Sequence, residues 1–319
     1  MVYQNATAQP RQELTDVIME GVTEDTQFVG LKALPETPLV LPTGHVPKIE
    51  ISTGNRLRAT TKQRSPGANF DRWQSAISAY NITLVQVAEE VSLPDEQTLV
   101  YEDYFAFEQT YALEASNRLL RGNELDAQSA LFNASNFHAA NGGVAYSQGN
   151  IGTITPVADI ITAIRYIKAL GEKPNTILMP GTIYDRVRQS ADMKSFIAGS
   201  VNPGAIVTPD TIQAAFASMG ISKVHIAEAY VNQSQDGKDN SINPIFPLTY
   251  IFVGNCTGGK LQAGGCGRTF YWEKEGPLMN VSSYRDEPKK SNVIRAQKTT
   301  LCGITNGRAG YLIGTQVTS

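Results

Sequence analysis

The sequence predicts an α+β fold, because helical and strand-like segments alternate along it in no regular order. Three observations support this class. A long helical pattern covers residues 95–121, runs of β-branched and aromatic residues recur through the second half, and proline interrupts the first 45 residues. The 319 residues suffice for one large domain or two ordinary ones, and they contain neither an internal repeat nor a flexible linker. We therefore expect the parts to pack as one body.

Composition excludes several classes of protein. Hydrophobic residues make up 41% of the chain and glycine contributes 27 residues, which rules out collagen-like, low-complexity and disulfide-scaffold sequences. The net charge of −3 provides no basic platform for duplex nucleic acid. The sequence has no signal peptide and no apolar run long enough for a membrane span, so we expect synthesis in the cytosol. Charged residues reach only 18%, against roughly a quarter in typical domains, which predicts large subunit interfaces.

Residues 1–45 are predicted to form an extended arm. Five prolines at positions 10, 35, 38, 42 and 47 prevent a sustained helix in this region and at its end. One short helix is predicted over residues 12–21, with Leu14, Val17 and Ile18 on a single stripe.

Two strand-like runs, residues 46–51 and 80–87, predict a long projecting hairpin, since about 28 residues separate them. The predicted tip contains Trp73 and a cluster of basic residues, with Asp71 as its only acid. The basic residues are Arg56, Arg58, Lys62, Arg64 and Arg72. A solvated loop is the simpler interpretation, but a loop of this length in a compact domain usually has a function, such as holding a neighbouring subunit.

The strongest helical pattern begins at Leu93-Pro94-Asp95 and is predicted to end at Gly122. At about 1.5 Å per residue, such a helix would be a rod of roughly 40 Å. It combines an apolar stripe with a polar face on which Glu114 and Arg118 have the spacing of an ion pair. The stripe consists of Val100, Tyr104, Phe107, Tyr111, Ala115 and Leu119. A second helical segment is predicted over residues 123–133.

Acidic residues on this long helix are complementary to the basic hairpin tip of another copy, which favours self-assembly. The acidic residues concerned are Glu96, Glu102, Asp103 and Glu108. Because carboxylates on a long helix usually form a solvated or salt-bridged face, we do not interpret them as catalytic.

Two further helices have clear start signals. Thr155 and Pro156 predict a helix that ends at Gly171, and Thr208 and Pro209 predict another that continues to Met219 before Gly220. Six segments are predicted as strands, the first of them fully buried: 176–179, 224–231, 248–253, 269–273, 293–301 and 311–313.

The sequence offers no convincing catalytic, cofactor or metal site. Residues 254–260 (GNCTGGK) match the first seven positions of a phosphate-binding loop, but Leu261 replaces the required Ser or Thr and no helix is predicted to follow. The three cysteines, Cys256, Cys266 and Cys302, lack zinc-site spacing and are interpreted as reduced thiols. The three histidines at positions 45, 138 and 225 lie in different regions. We therefore predict that the protein is not an enzyme.

The order of these parts resembles the major capsid protein of tailed bacteriophages with the Hong Kong 97-like fold. Residues 87–95 (VAEEVSLPD) resemble the turn from the extended loop into the spine helix, and residues 159–179, which end in KPNTILM, resemble the entry to the apical domain. Residues 211–230, with KVHIAEAY, and residues 292–314, with RAGYLIG, resemble the helix–strand pair that follows and the last strands of the peripheral domain. Each match is a packing pattern rather than a chemical signature.

The resemblance implies a division of the chain into an N-terminal arm (1–45), an extended loop (46–87), a peripheral domain with the spine helix (88–173), an apical domain (174–265) and C-terminal peripheral strands (266–319). It also implies hexamers and pentamers of an icosahedral shell that encloses double-stranded DNA without sequence specificity. The implied location is the virion, after assembly in the bacterial cytoplasm. Implied partners are a portal, a scaffolding protein and a decoration or cement protein, with no membrane, cofactor or metal.

Two departures from the family pattern affect these expectations. The chain starts directly at the arm with Met1, so we expect a separate scaffolding protein rather than a removed N-terminal one. Some members crosslink a hairpin lysine to a neighbour's asparagine with the help of a glutamate. Lys62 is available at the tip, but Ala296 and Gly303 stand where the acceptor and the acid would be needed, so no crosslink is expected. An encapsulin-like shell and a nucleotide-binding enzyme are the alternatives.

Overall fold

Two β-sheets with helices packed against them make up most of the described chain, which confirms the α+β class. The computed structural model describes residues 9–16, 18, 27–50, 57, 59, 64–69, 76–101, 106–200, 206–234, 237–258, 264–276 and 279–317. Residues 12–16 and 18 are helical, in agreement with the helix predicted in the arm, and Leu14 and Ile18 are buried.

The elements within these residues are numbered in chain order. The helices are α1 (Gly30–Ala33), α2 (Asp95–Tyr101), α3 (Phe107–Leu131), α4 (Pro156–Ala169), α5 (Gly181–Gln189), α6 (Ala191–Ser200) and α7 (Pro209–Phe216). The strands are β1 (Gln9–Pro10), β2 (Glu36–Leu39), β3 (Thr43–Glu50), β4 (Ala76–Thr83), β5 (Val85–Pro94), β6 (His138–Asn141), β7 (Thr176–Pro180), β8 (Lys223–Ala227), β9 (Tyr230–Asn232), β10 (Ile242–Pro244), β11 (Tyr250–Gly254), β12 (Gly267–Trp272), β13 (Asn280–Asp286), β14 (Ser291–Ile304) and β15 (Gly310–Gly314).

The first sheet is built around β14, the longest of the described strands. β13 and β12 pair with successive halves of one edge of β14, and β5 pairs with its opposite edge. β1 and β2 extend this sheet beyond β13 and β12. The long helix α3 packs across β14 and β5, and its buried side includes Ala115, Leu119 and Leu131.

The second sheet, in the order β6-β15-β11-β7-β8, joins the two hydrophobic cores because both of its faces are buried. Alternate residues of a strand point to opposite faces. Ile177 of β7 and Ile251 of β11 therefore contribute to a core with α4 to α7, while Leu178 and Phe252 face the core that contains α3. Sharing a sheet between two cores explains why the chain packs as one body.

The predicted hairpin is present as β3 and β4, which pair antiparallel over eight residue pairs from Thr43 with Thr83 to Glu50 with Ala76. The predicted strand 80–87 is wrong as a single element. The chain leaves the hairpin at Leu84, whose N–H donates to the Pro42 carbonyl at 2.8 Å, and β5 then joins β14. The sequence pattern does not distinguish β4 from β5, because a single residue, the buried Leu84, separates the two strands.

The predicted single helix over residues 95–121 is also wrong. α2 ends at Tyr101, and α3 begins at Phe107 after the non-helical Ala106 (φ −69°, ψ 80°). α3 then continues through Gly122 and absorbs the second predicted helical segment. Burial of its C-terminal half against the first sheet outweighs the roughly 1 kcal/mol that glycine costs inside a helix. The predicted pair Glu114 and Arg118 is confirmed at 3.4 Å.

The two predicted helix starts are confirmed, but their caps differ. Thr208 and Thr211 form a reciprocal capping box at α7, and Gly220 follows with φ 104°. Thr155 precedes α4 without a side-chain cap, and Asp192 of α6 accepts from the Val157 N–H at 3.0 Å instead. A carboxylate at a helix N-terminus is favourable, so the tertiary contact replaces the local one.

The second sheet combines strands from segments that the sequence assigns to different domains, and the domain boundaries themselves stay a prediction. β6 and β15, predicted to belong to the peripheral domain, lie in the second sheet with β11 and β7. α4 likewise packs in the second core. The predicted strand 224–231 is two strands, since β8 belongs to the second sheet and β9 pairs with β10 in a separate ribbon. The remaining predicted strands are confirmed within a few residues of their ends.

Candidate functional site

The half of the projecting hairpin nearest the first sheet packs on that sheet. Val46, Ile82 and Leu84 form a small third core with Phe270 of β12. The Trp272 indole N–H donates to the Val40 carbonyl at 3.3 Å and closes the same corner. Val46 lies halfway along β3, so the ribbon extends about 13 Å beyond this core to Glu50, at about 3.3 Å per residue. The described positions at its far end, Leu57, Ala59 and residues 64–69, are all exposed.

Most of the basic tip predicted from the sequence lies outside the described residues. Arg64 is described and exposed, whereas Arg56, Arg58, Lys62, Arg72 and Trp73 fall in undescribed segments. Their role at a subunit interface therefore stays a prediction.

The acidic residues predicted on the long helix are divided by the break between α2 and α3. Glu96 is exposed on α2, and Glu102 and Asp103 lie outside the described residues. Glu108, in the first turn of α3, accepts from Arg11 at 3.0 and 3.3 Å. Arg11 also binds Glu13 at 2.5 Å, and this hydrogen bond is the main reason that the pKa of the Arg11 guanidinium is raised. The arm of the same chain thus already binds Glu108, which the sequence did not predict.

A cavity of about 290 Å³ lies beside α2 and the start of α3. Its lining includes Leu93 of β5, Thr98 of α2, and Phe107 and Glu108 of α3. The cavity has space for a side chain, and its wall combines an apolar ring with a carboxylate.

Large apolar side chains are exposed on α2 and along β5. Leu99 of α2 is 78% exposed and Val100 is 57% exposed. Val85 and Val87 are exposed on β5, and no described strand pairs with the outer edge of β5. Unpaired edges and exposed apolar clusters are typical of surfaces that another chain covers.

Ion pairs on the first sheet connect α2 with β13 and β5 with β14. Arg285 donates to both carboxylate oxygens of Asp95, at 2.5 and 2.6 Å, and these bonds hold the pKa of Asp95 below its usual range. Arg295 donates to Glu90 at 2.6 Å and lies over the Tyr284 ring. These pairs fix the position at which the chain passes from the hairpin to α2.

A buried carboxylate joins the arm to the long helix. Glu124 of α3 is 1% exposed, and its two oxygens accept from the backbone N–H groups of Val29 and Gly30, both at 2.8 Å. These groups begin α1, where no side chain of α1 itself provides a cap. A Cβ at Gly30 would lie 2.6 Å from the Glu124 carboxylate, so only glycine fits there.

The residues considered for catalysis or metal binding are not brought together. No group of three His, Cys, Asp or Glu side chains in the described ranges could hold a metal ion. His45 binds Asn81 on the hairpin, His138 stacks on Tyr166, and His225 is half-buried on β8. Gly254 ends β11 and β12 begins at Gly267, and the described residues between them, 255–258 and 264–266, are not helical. None of the described helices is both long and apolar enough to cross a membrane.

Solved structures match this fold over nearly the whole chain. A phage-related protein from Bordetella bronchiseptica aligns with a TM-score of 0.70 at 15% identity, covering 97% of this chain and 98% of that one. A virus-like particle from Pyrococcus furiosus aligns at 0.58 and 10% identity, covering 95% and 98%. The capsid of cyanophage P-SCSP1u aligns at 0.54 and 9% identity, covering 88% and 85%. No protein-family model and no curated protein matches the sequence.

These matches confirm, at the level of fold, the resemblance to phage capsid proteins that the sequence predicts. The sequence did not reveal the Arg11–Glu108 pair, the Glu124 cap or the cavity. The two contacts join residues more than 90 positions apart, and the cavity depends on the break before Phe107. No local sequence pattern encodes contacts at that separation or this break.

Proposed function

We propose that the chain is a major capsid protein, which assembles into hexamers and pentamers of an icosahedral shell around phage double-stranded DNA. The observation that carries this proposal is the match to the cyanophage capsid along 88% of this chain, together with the match to a phage-related protein along 97% of it, since the shared fold includes most of the molecule rather than one module. Fold similarity alone leaves function open, so the surfaces must also suit assembly.

The hairpin supports assembly because its own chain covers only its base. The described tip positions are exposed, and a two-stranded ribbon in water is marginally stable by itself. A neighbouring subunit would supply the missing contacts. A chain with 18% charged residues has the surface composition for several such interfaces.

We place the partner surface of the basic tip at α2 and the cavity beside it. Glu96 supplies an exposed carboxylate, and Leu99 and Val100 supply apolar area. Because Arg11 already neutralises Glu108, the contribution of Glu108 is to hold the arm rather than to attract the hairpin. Glu102 and Asp103 remain proposed members of this surface.

The further partners follow from the proposed shell. A net charge of −3 suits containment of DNA without sequence recognition rather than tight binding. Assembly in the bacterial cytoplasm, a separate scaffolding protein, a portal and a decoration or cement protein belong to the same proposal.

The decisive experiment is assembly of the purified chain, followed by analytical ultracentrifugation and negative-stain microscopy. We expect capsomers or shells, alone or with a scaffolding protein. Leu99→Glu should reduce the yield of shells at least tenfold, while Gln97→Glu, which adds the same charge at an exposed polar position of α2, should not. A single species near 34.6 kDa under all these conditions would refute the proposal.

A nanocompartment shell is a second candidate, favoured by the match to the virus-like particle from Pyrococcus furiosus. Particle diameter and enclosed nucleic acid distinguish the two. Small uniform particles without DNA from the native source would favour the nanocompartment. Nucleotide binding at residues 254–260 is disfavoured by Leu261, which stands where a phosphate-binding loop needs Ser or Thr. A titration with ATP and Mg²⁺ that releases heat would restore this candidate.

A further inference from the structure

The crossover, residues 255–266, connects β11 of the second sheet to β12 of the first. Backbone hydrogen bonds hold both of its ends. The Cys266 N–H donates to the Asn255 carbonyl at 2.7 Å, and the Asn255 N–H donates to the Ala309 carbonyl at 2.8 Å. The N–H groups of Thr305 and Asn306 both donate to the Cys266 carbonyl at 3.0 Å. This crossover therefore packs against the return connection between β14 and β15, at the junction of the two sheets.

Two buried thiols face each other at the base of this crossover. Cys256 Sγ and Cys266 Sγ lie 4.0 Å apart, and the residues are 2% and 0% exposed. The bond between residues 255 and 266 aligns the two arms of the loop. The next position is equally close, because a Cβ at Gly265 would lie 3.1 Å from the Thr257 carbonyl oxygen. Two sulfur atoms 4.0 Å apart need to move only about 2 Å closer to reach the S–S bond length of a disulfide.

A buried cation lies beside the thiols. Arg268 is 1% exposed, and its Nη2 donates to the Gly264 carbonyl at 2.6 Å. Its Nη1 has no hydrogen-bond partner among the described residues. Its charge interacts with both cysteines. A nearby guanidinium favours a thiolate, the reactive form of cysteine.

We propose that Cys256 and Cys266 are a dithiol pair that closes to an intrachain disulfide by exchange with a small-molecule disulfide such as oxidised glutathione. Cys256 sulfur attacks one glutathione sulfur, the glutathione S–S bond breaks, and the departing glutathione thiolate takes up the Cys256 proton. Cys266 sulfur then attacks Cys256 Sγ, loses its own proton and expels the second glutathione. Two protein thiols are oxidised, and one glutathione disulfide is reduced to two thiols.

The order of the two attacks follows from the environment of the pair. The hydrogen bond with Cys256, together with burial, raises the pKa of the Cys266 thiol. A raised pKa leaves little of the Cys266 thiolate, so we assign the second attack to Cys266. The third thiol does not belong to the pair, because Cys302 contacts Thr269 and Asn123 instead.

The disulfide would fix the junction between the sheets. The biological role of this disulfide rests on the proposed function. In shells assembled in a reducing cytoplasm, the two cysteines would be oxidised only after the particles are released. The bond itself can be measured on the unassembled chain, so its failure and the failure of the shell proposal are distinguishable.

The test is to incubate the full-length chain with oxidised glutathione and count thiols after denaturation. Wild type should fall from three thiols to one, and Cys302→Ser from two to zero. Cys256→Ser should show no protein disulfide. Trypsin cuts after Lys260, between the two cysteines, so the flanking peptides should stay joined until dithiothreitol is added. Oxidation should raise the melting temperature of the wild-type chain by about 5 °C, and added reductant should reverse this rise. The melting temperature of Cys266→Ser should not change on oxidation. Three persistent thiols, glutathione adducts alone, or a disulfide through Cys302 would overturn the proposal.

Discussion

Replacing Glu124 by alanine should detach the N-terminal arm from the long helix and destabilise the whole protein. The change removes both acceptors of the Val29 and Gly30 N–H groups, which are buried where water cannot replace the carboxylate. Each hydrogen bond to a charged group contributes about 1.5–3 kcal/mol, so we expect a loss of about 3–6 kcal/mol in the free energy of unfolding.

Two variants separate this effect from the mere loss of a charge. Glu124→Gln keeps one acceptor oxygen but points an amide donor at the second N–H, so about half of the loss is expected. Glu114→Ala removes an exposed helical ion pair with Arg118 and should cost about 0.3–0.5 kcal/mol.

The assay is urea unfolding of the unassembled chain by circular dichroism, together with amide hydrogen exchange. Exchange at Val29 and Gly30 should accelerate in Glu124→Ala while the centre of β14 stays protected. A loss below about 1 kcal/mol with unchanged exchange at both amides would show that the carboxylate is not the cap we infer.

Three further predictions concern pH, assembly and covalent chemistry. Burial, with smaller effects of Lys32 and Lys223, lowers the pKa of His225 to about 4. Below pH 6.5 the unfolded chain therefore binds a proton that the folded chain does not. As the pH falls from 6.5 to 4, the free energy of unfolding of wild type should fall by about 3 kcal/mol relative to that of His225→Gln. Parallel curves of stability against pH for the two proteins would contradict this. Charge reversal at the hairpin tip, Arg58→Glu with Arg64→Glu, should reduce shell yield while the circular dichroism spectrum is unchanged, and normal yield would argue against the hairpin's role. Mature particles boiled in detergent should run as one band near 34.6 kDa; a ladder that disappears in Lys62→Arg would reveal an unrecognised acceptor.

The amino-acid sequence by itself determined the features that depend on neighbours along the chain. Alternating β-prone residues predicted the hairpin, and the Thr-Pro signals located the starts of α4 and α7. Local capping and side-chain periodicity act over three or four residues, so they can be read directly. They were sufficient for the α+β class and for the resemblance to capsid proteins.

Only the tertiary structure decided features that join distant residues. α3 runs through Gly122 because the first sheet buries its far half, and Asp192 rather than Thr155 caps α4. Cys256 and Cys266 face each other because Ala309 and Asn306, from another connection, bind the crossover between them. In each case a buried contact across the fold is stronger than a local preference of about 1 kcal/mol, and the sequence encodes that contact only through the complete arrangement of the chain.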